Sequence, residues 1–395
     1  MLHLASAAMG TMEEHVVRTA RFLGILAVSL ALIAPANATA AAPPSDWSKA
    51  VVDSTMKRFT PDKLGGWGYT RGLYLYGQYL VYKRTGDKKY LDYIKAWVDR
   101  FVKADGSVDN SFSNLDSMRS ATLFIILDQE TGEAKYKKAA DKVRAKFTNY
   151  PRTSDGGMFH ATSKVGQLWA DGVYMAQPFI AMYAKAYNQP YGYDEAVRNM
   201  KTYFAHLKSD DGLLWHAYDA DGSESWAKNP GKHSSEHWAR AIGWFGMTAI
   251  DLLEILPADH PGRTDLINIV KHLATGYARF QDQATGRWCQ IVDKCSNSKN
   301  WTETSASSMY TFMLSRGVER GYIDASYKAV AAKGYQGVLA KTSVGSDGLT
   351  SIKDISEGTN VGNADYYYGR ARSTNDFHGL GAFLIMNEQL ARTTQ

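Results

Sequence analysis

Asp116 stands in SNLDSMRSA and Asp171 in LWADGVYMAQPF, each where a polar stretch gives way to an apolar helical pattern. His160 and His216 fall in the aromatic stretches that precede two such patterns. The segment EHWARAIGWFG carries His237, Trp238, Arg240 and Trp244, and GGWGYTRGLY carries Trp67 and Tyr69. A pair of carboxylates suits acid/base work, in which one side chain gives a proton and later takes one. Aromatic rings suit the apolar faces of pyranose sugars, and aromatic content is 12%, with 24 Tyr and 10 Trp. A guanidinium flanked by two Trp on an otherwise apolar helix needs an anionic partner. Together these types describe a sugar cleft with an acid/base pair, provided that the fold brings them to one place. Each also has a plainer reading. Asp is a favoured helix N-cap, the two His can be half-buried strand residues, and Trp238 and Trp244 can be core. Arg240 can pair with Glu236 one turn earlier on its own helix.

The elements that must position these residues repeat along the chain. A polar helix reads TGDKKYLDYIKAWVDRFV from Thr85, TGEAKYKKAADKVRAKF from Thr131 and YGYDEAVRNMKTYFAHL from Tyr191, with a looser copy, IDASYKAVAAKGYQGVL, from Ile323. A turn and aromatic stretch reads DGGMFHA from Asp155, DGLLWHAYD from Asp211, TGRWCQIVD from Thr285 and DGLTSIKDI from Asp347. Repetition at this spacing means one supersecondary unit used several times. Helical periodicity places about twelve helices, near 45–60, 68–84, 87–104, 115–131, 133–149, 170–187, 190–208, 235–255, 261–281, 303–320, 323–341 and 378–392. Tight connections, often TGD or TGE, alternate with longer ones that hold short strands. This alternation predicts an all-α fold, an (α/α)6 toroid in which inner helices line a funnel and the long connections open on one face. A helical solenoid is the alternative, although its repeats are usually more uniform. In the toroid, Tyr69, Asp116, His160, Asp171, His216, Trp238, Arg240 and Trp244 all come to the same mouth.

Composition sets limits on function. The chain has 395 residues, 45 basic against 40 acidic, and the net charge of +5 is too mild and dispersed for nucleic-acid binding. Arg18 and Arg21 precede the apolar run Phe22 to Ile33, which is too short to span a bilayer and is followed by small residues at Ala36–Ala40. Residues 1–38 therefore read as a secretory signal peptide, and residues 39–395 as a single exported catalytic domain, periplasmic or secreted, with no membrane segment. Cys289 and Cys295 lie close together in WCQIVDKCSNSKN and either pair in an oxidising compartment or remain free thiols in a short hairpin. No His stands near them at ligand spacing, so no metal site is expected. A cofactor is not expected either, and the protein is expected to act as a monomer.

The segments WGYTRG, LDSMRSA, LWADGVYMAQPF, WARAIGW and NDFHGLGAF, in this order from Trp67 to Phe383, resemble the unsaturated rhamnogalacturonyl hydrolases, relatives of the unsaturated glucuronyl hydrolases. The resemblance implies an (α/α)6 barrel that removes a 4,5-unsaturated uronic acid from the non-reducing end of an oligosaccharide. It implies Asp171 as general acid/base and Asp116 as a second essential carboxylate. It further implies that Tyr69, His160, His216, Trp238, Arg240 and Trp244 line the substrate pocket. Where the family commonly has Gly-Asn inside WARAIGW, this chain has Ala241-Ile242. In that chemistry a carboxyl protonates C4 of a vinyl ether, water adds at C5, and the hemiketal opens and expels the aglycone. Aromatic burial or the neighbouring Asp116 is expected to raise the pKa of Asp171 for this task. A polysaccharide lyase on the same barrel, an inverting glycosidase with wider-set carboxylates, and a non-catalytic glycan-binding protein are the alternatives.

Overall fold

The computed structural model describes residues 43–393; the signal segment expected over residues 1–38 lies outside them. Its helices are α1 (Trp47–Arg58), α2 (Tyr69–Thr85), α3 (Lys88–Val98), α4 (Leu115–Arg119), α5 (Thr122–Thr131), α6 (Ala134–Thr148) and α7 (Asp171–Ala186). They continue as α8 (Tyr191–Leu207), α9 (Ala239–Ile255), α10 (Arg263–Phe280), α11 (Thr304–Glu319), α12 (Tyr327–Leu339), α13 (Ala364–Tyr368) and α14 (Phe377–Thr393). Short strands, β1 (Gln167–Trp169), β2 (Ala217–Asp219), β3 (Trp288–Cys289), β4 (Thr302–Glu303), β5 (Thr342–Val344), β6 (Thr350–Ile352), β7 (Ile355–Ser356) and β8 (Arg372–Ser373), pair antiparallel two by two in the long connections.

The packing is that of the expected (α/α)6 toroid. Helix α2 packs on α4 and α5, these on α7, then α9, α11 and α14 follow, and α14 returns onto α2 to close an inner ring. Helices α1, α3, α6, α8, α10 and α12 pack outside it. The sequence explains the division. Helix α9 is buried at nearly every position from Ala239 to Leu253, as an inner helix covered on all sides must be. Helix α3 buries only one stripe, Tyr90, Leu91, Tyr93, Ile94, Trp97 and Val98, at helical spacing. The TGD and TGE signals work as helix-to-helix turns: Gly86 (φ 70°) and Gly132 (φ 70°) end α2 and α5 in the left-handed region that favours glycine. Asp87 then caps α3 through the Lys89 N–H.

Three expectations about elements need correction. The helix expected over 115–131 is two helices, because i→i+3 bonds from Ala121 to Met118 and from Leu123 to Ser120 tighten the chain between them. The helix expected over 235–255 begins at Ala239, since residues 236–238 are extended: Glu236 and His237 carbonyls accept from the His216 and Val292 N–H groups, and Trp238 bridges Ile291. The helix expected over 87–104 ends at Val98. Helix α13, in the last long loop, was not expected. Cys289 and Cys295 are joined by a disulfide that clips the loop after β3. Among the described residues no helix is long and apolar enough to cross a membrane.

Candidate active site

Backbone pairing in the long connections brings the two aspartates to one place. Leu115 N–H donates to the His160 carbonyl (3.0 Å) and Thr162 N–H to the Ser113 carbonyl (2.8 Å), so the start of α4 is stitched to the loop that carries His160. Strand β1 pairs with β2 in the register Trp169↔Ala217, and Ala170 N–H donates to the His216 carbonyl at 2.8 Å. The start of α7 is thereby fixed beside His216. Gly172 permits the approach of α7 to α4, since a Cβ there would sit 3.0 Å from both Leu115 and the Tyr203 hydroxyl. Neither aspartate is an N-cap. Asn114 caps α4 through the Ser117 N–H, Ala170 precedes α7, and Asp116 and Asp171 both lie inside the first helical turn. Their carboxylates are thus free of a capping role.

The pocket at this mouth encloses about 330 Å³. Tyr69, Asp116, His160 and Asp171 line it, as expected, together with Asn114, Lys164 and Trp169 and the last-loop residues Gly358, Thr359 and Asn360. Its back wall is a hydrogen-bond relay. Asp171 Oδ2 lies 3.1 Å from His216 Nε2, and His216 Nδ1 lies 2.6 Å from the Tyr367 hydroxyl, which accepts the Gly362 N–H at 3.1 Å. With Asp171 ionised, His216 Nε2–H donates to it, and Nδ1 shares a hydrogen bond with the Tyr367 hydroxyl. On the opposite wall Tyr69 meets His378 Nε2 at 2.7 Å, and His378 Nδ1 meets Asp376 Oδ1 at 2.6 Å. An ionised Asp376 accepts only, so Nδ1 carries the proton, Nε2 accepts, and the Tyr69 hydroxyl donates to it. The Tyr69 oxygen therefore presents lone pairs to the pocket. His160 stacks on Trp169 with centroids 4.4 Å apart, and its Nε2 stands 3.7 Å from Asp116 Oδ1. The Lys164 ammonium lies 4.5 Å from the centre of the Trp169 ring.

The electrostatics separate the two carboxylates. Burial raises the Asp116 carboxyl above its ordinary value; the field of Asp171 adds to this and that of His160 opposes it. Burial acts in the same direction on Asp171, but the charge and hydrogen bond of His216 and the field of His160 outweigh it and hold Asp171 below its ordinary value. The expectation that Asp171 is raised is thus reversed: its two histidines decide the sign. Burial, Asp116 and Asp171 push the Tyr69 hydroxyl upward, against Arg240, so it stays protonated. Burial also works to raise Asp376, but the hydrogen bonds of His378 and the charge of Arg240 bring it to about 2. His378 is lowered, by burial first and by Arg240 next, and stays neutral.

His216, Trp238, Arg240 and Trp244 stand behind the pocket surface instead of lining it, the last three only 1% exposed. Trp238 packs on His216 (4.5 Å), and Trp244 lies between Tyr174 (4.6 Å) and the edge of Tyr69 (6.4 Å). Among the described residues Arg240 pairs with no carboxylate. Its Nη1 donates to the Ser356 carbonyl at 2.5 Å, its Nη2 to the Glu357 carbonyl at 2.7 Å, and its guanidinium rests 4.9 Å from the Trp238 ring. Glu236 is engaged instead by Lys294 at 2.6 Å. Arg240 thus holds the segment that leads into Gly358–Asn360. Ala241 and Ile242 are fully buried and outside the pocket lining, with the Ile242 carbonyl accepting the outer-ring Tyr277 hydroxyl. Sequence reasoning did not single out Lys164, Asn114, Thr359, Asn360, Tyr367, Asp376 or His378. The Asp-Phe-His spacing of NDFHG carried a signal, since two residues suffice for a side chain to orient an imidazole. Lys164, a lone lysine on a loop, carried none.

Comparison with known proteins agrees with this architecture. The model of glycosyl hydrolase family 88 matches residues 47–394. A glycoside hydrolase from family 105 of C. acetobutylicum ATCC 824 superposes with a TM-score of 0.84 at 33% identity, covering 88% of this chain and 99% of that one. The unsaturated rhamnogalacturonyl hydrolase YesR of Bacillus subtilis strain 168 is 26% identical over 266 residues, 65% of this chain and 72% of its own length. The unsaturated glucuronyl hydrolase of Bacillus sp. GL1 shares the fold, with a TM-score of 0.66 at 16% identity over 88% of this chain and 95% of that one. The chain belongs to the glycosyl hydrolase 88/105 family.

Proposed function

We propose that this protein releases a 4,5-unsaturated uronic acid from the non-reducing end of an oligosaccharide by hydrating its C4=C5 bond. The observation that carries the reading is the pair Asp116 and Asp171, in one sugar-sized pocket, with acidities shifted in opposite directions. Titratable groups whose surroundings push them apart mark an acid and a base. Of the two, Asp116 is the carboxyl that binds a proton more readily and Asp171 the one that gives it up more readily. A substrate carboxylate entering the pocket adds negative charge and displaces water, and both effects raise Asp171. Asp171 then takes up the proton and gives it to C4, leaving positive charge shared between C5 and the ring oxygen. Water adds at C5 and returns a proton to Asp171. The hemiketal opens by breaking the bond between C5 and the ring oxygen. The resulting hemiacetal at C1 expels the aglycone as an alcohol. Lys164 offers an ammonium to the uronate carboxylate. The Tyr69 oxygen accepts only, which suits a sugar hydroxyl or the attacking water and disfavours a carboxylate at that wall.

The relatives named for unsaturated rhamnogalacturonyl and glucuronyl substrates support this class. Export belongs to the same proposal, supported by the signal-like Phe22–Ile33 run and by a disulfide suited to an oxidising compartment. Ultraviolet absorbance on lyase-generated unsaturated disaccharides tests the reading. The conjugated chromophore should disappear with turnover, and intact polymer should give no change. A rise in absorbance on intact polymer would identify a lyase and overturn the proposal.

A further inference from the structure

Outside the pocket, the same last loop forms a wall of a second depression. Gly358, Thr359 and Asn360 line the inner pocket, and the next three residues, Val361 to Asn363, line an open hollow of about 540 Å³. Its other wall is the turn that carries Trp226, Lys228 and Asn229. None of its lining residues is acidic. Trp226 is half-buried, and among the described residues its indole has no ring contact and its N–H no hydrogen-bond partner. A large aromatic held at a surface with its N–H free is amphipathic in the way that sugar faces and hydroxyls require.

Both walls are tied to the catalytic residues. Gln167 Nε2 donates to Glu224 Oε1 at 2.7 Å, and Gln167 Oε1 accepts the Trp169 indole N–H at 3.0 Å, so the turn before Trp226 is braced against the pocket wall. On the other side, the Gly362 N–H is held by Tyr367, whose hydroxyl also meets His216. Asn360 N–H donates to the Tyr366 hydroxyl at 2.9 Å. One wall of the hollow is thus built by the loop residues that directly follow those lining the pocket, and both its walls are hydrogen-bonded to residues around the pocket.

We propose that this hollow is a binding subsite for the aglycone, the sugar residues that follow the unsaturated uronic acid, with Trp226 as stacking platform and Lys228, Asn229 and Asn363 as polar partners. The proposal rests on the function proposed above and adds where the rest of the oligosaccharide lies. The alternative occupant, a protein partner, has no such continuity with the pocket.

The test compares kcat/KM for the methyl glycoside of the unsaturated uronic acid with kcat/KM for an unsaturated trisaccharide. Trp226→Ala should reduce the preference for the trisaccharide by about three- to tenfold, as loss of one aromatic contact implies, and Trp226→Phe should retain most of it. An unchanged preference, or an equal loss on both substrates, overturns the subsite. If the wild type turns over neither substrate, the hydration reading fails by itself. Calorimetric binding of the trisaccharide then decides the subsite: weaker binding to Trp226→Ala upholds it, and equal binding overturns it.

Discussion

Replacing Arg240 with Lys tests how the pocket rim is held. Arg240 spans two carbonyls, those of Ser356 and Glu357, with two different nitrogens at 2.5 and 2.7 Å. A lysine ammonium is a single point and cannot copy the fork. One buried carbonyl therefore loses a charge-assisted bond, at a cost of about 1.5–3 kcal/mol. The stacking of the guanidinium on Trp238 adds about 1 kcal/mol. For a domain of this size each kcal/mol lowers Tm by about 2 °C or less, so a fall of roughly 3–8 °C is expected. Loosening Glu357 also frees Gly358–Asn360, so KM should rise more than kcat falls. Thermal melts and steady-state kinetics on the same preparation make the measurement. An unchanged Tm with a tenfold loss in kcat/KM would mean that Arg240 touches substrate directly, and would refute the reasoning.

Asp171→Asn keeps the side-chain shape and removes the titrating proton, so kcat should fall about a hundredfold or more with the fold retained; near-normal turnover would remove Asp171 from the chemistry. The kcat/KM profile should fall on the alkaline side as the pair loses its proton, with Asp116, raised by burial, setting that limb; an alkaline limb that survives in Asp116→Asn would contradict this assignment. Asp251, the position between Ala239 and Leu253 of α9 that is only partly buried, lines a separate cavity with Arg119, and desolvation there raises its carboxyl from 3.8 to about 7. The folded state holds this proton more tightly, so stability should fall as pH rises from 3.8 to about 7. Asp251→Asn should therefore raise Tm above that window and change it little below; a melt equal to wild type throughout would refute the shift.

The ring of helices was legible because inner and outer helices differ in burial, and burial writes itself into periodicity. The TGD and TGE turns were legible because glycine at positive φ is a chemical requirement. Asp116, Asp171 and Tyr69 were found because they sit at helix starts that the toroid brings together, and His160 because it stands in the aromatic stretch before one of them. The relation of Arg240 to the loop carbonyls was not legible, since backbone acceptors leave no trace in a sequence. The same limit hid the sign of the Asp171 shift: only the geometry of His216 and Tyr367 shows that a histidine is aimed at that carboxylate. Lys164 and Asn360 reach the pocket through loop conformation alone. Helix starts shifted where strand-like pairing competed, as at residues 236–238.

Turnover in heavy water tests the central claim most directly. The released sugar should carry one deuterium at C4 when quenched at low conversion, with loss of the ultraviolet chromophore at the same rate as aglycone release. Release of the aglycone together with a still unsaturated, unlabelled sugar would mean direct attack on the glycosidic bond, and would contradict hydration of the double bond.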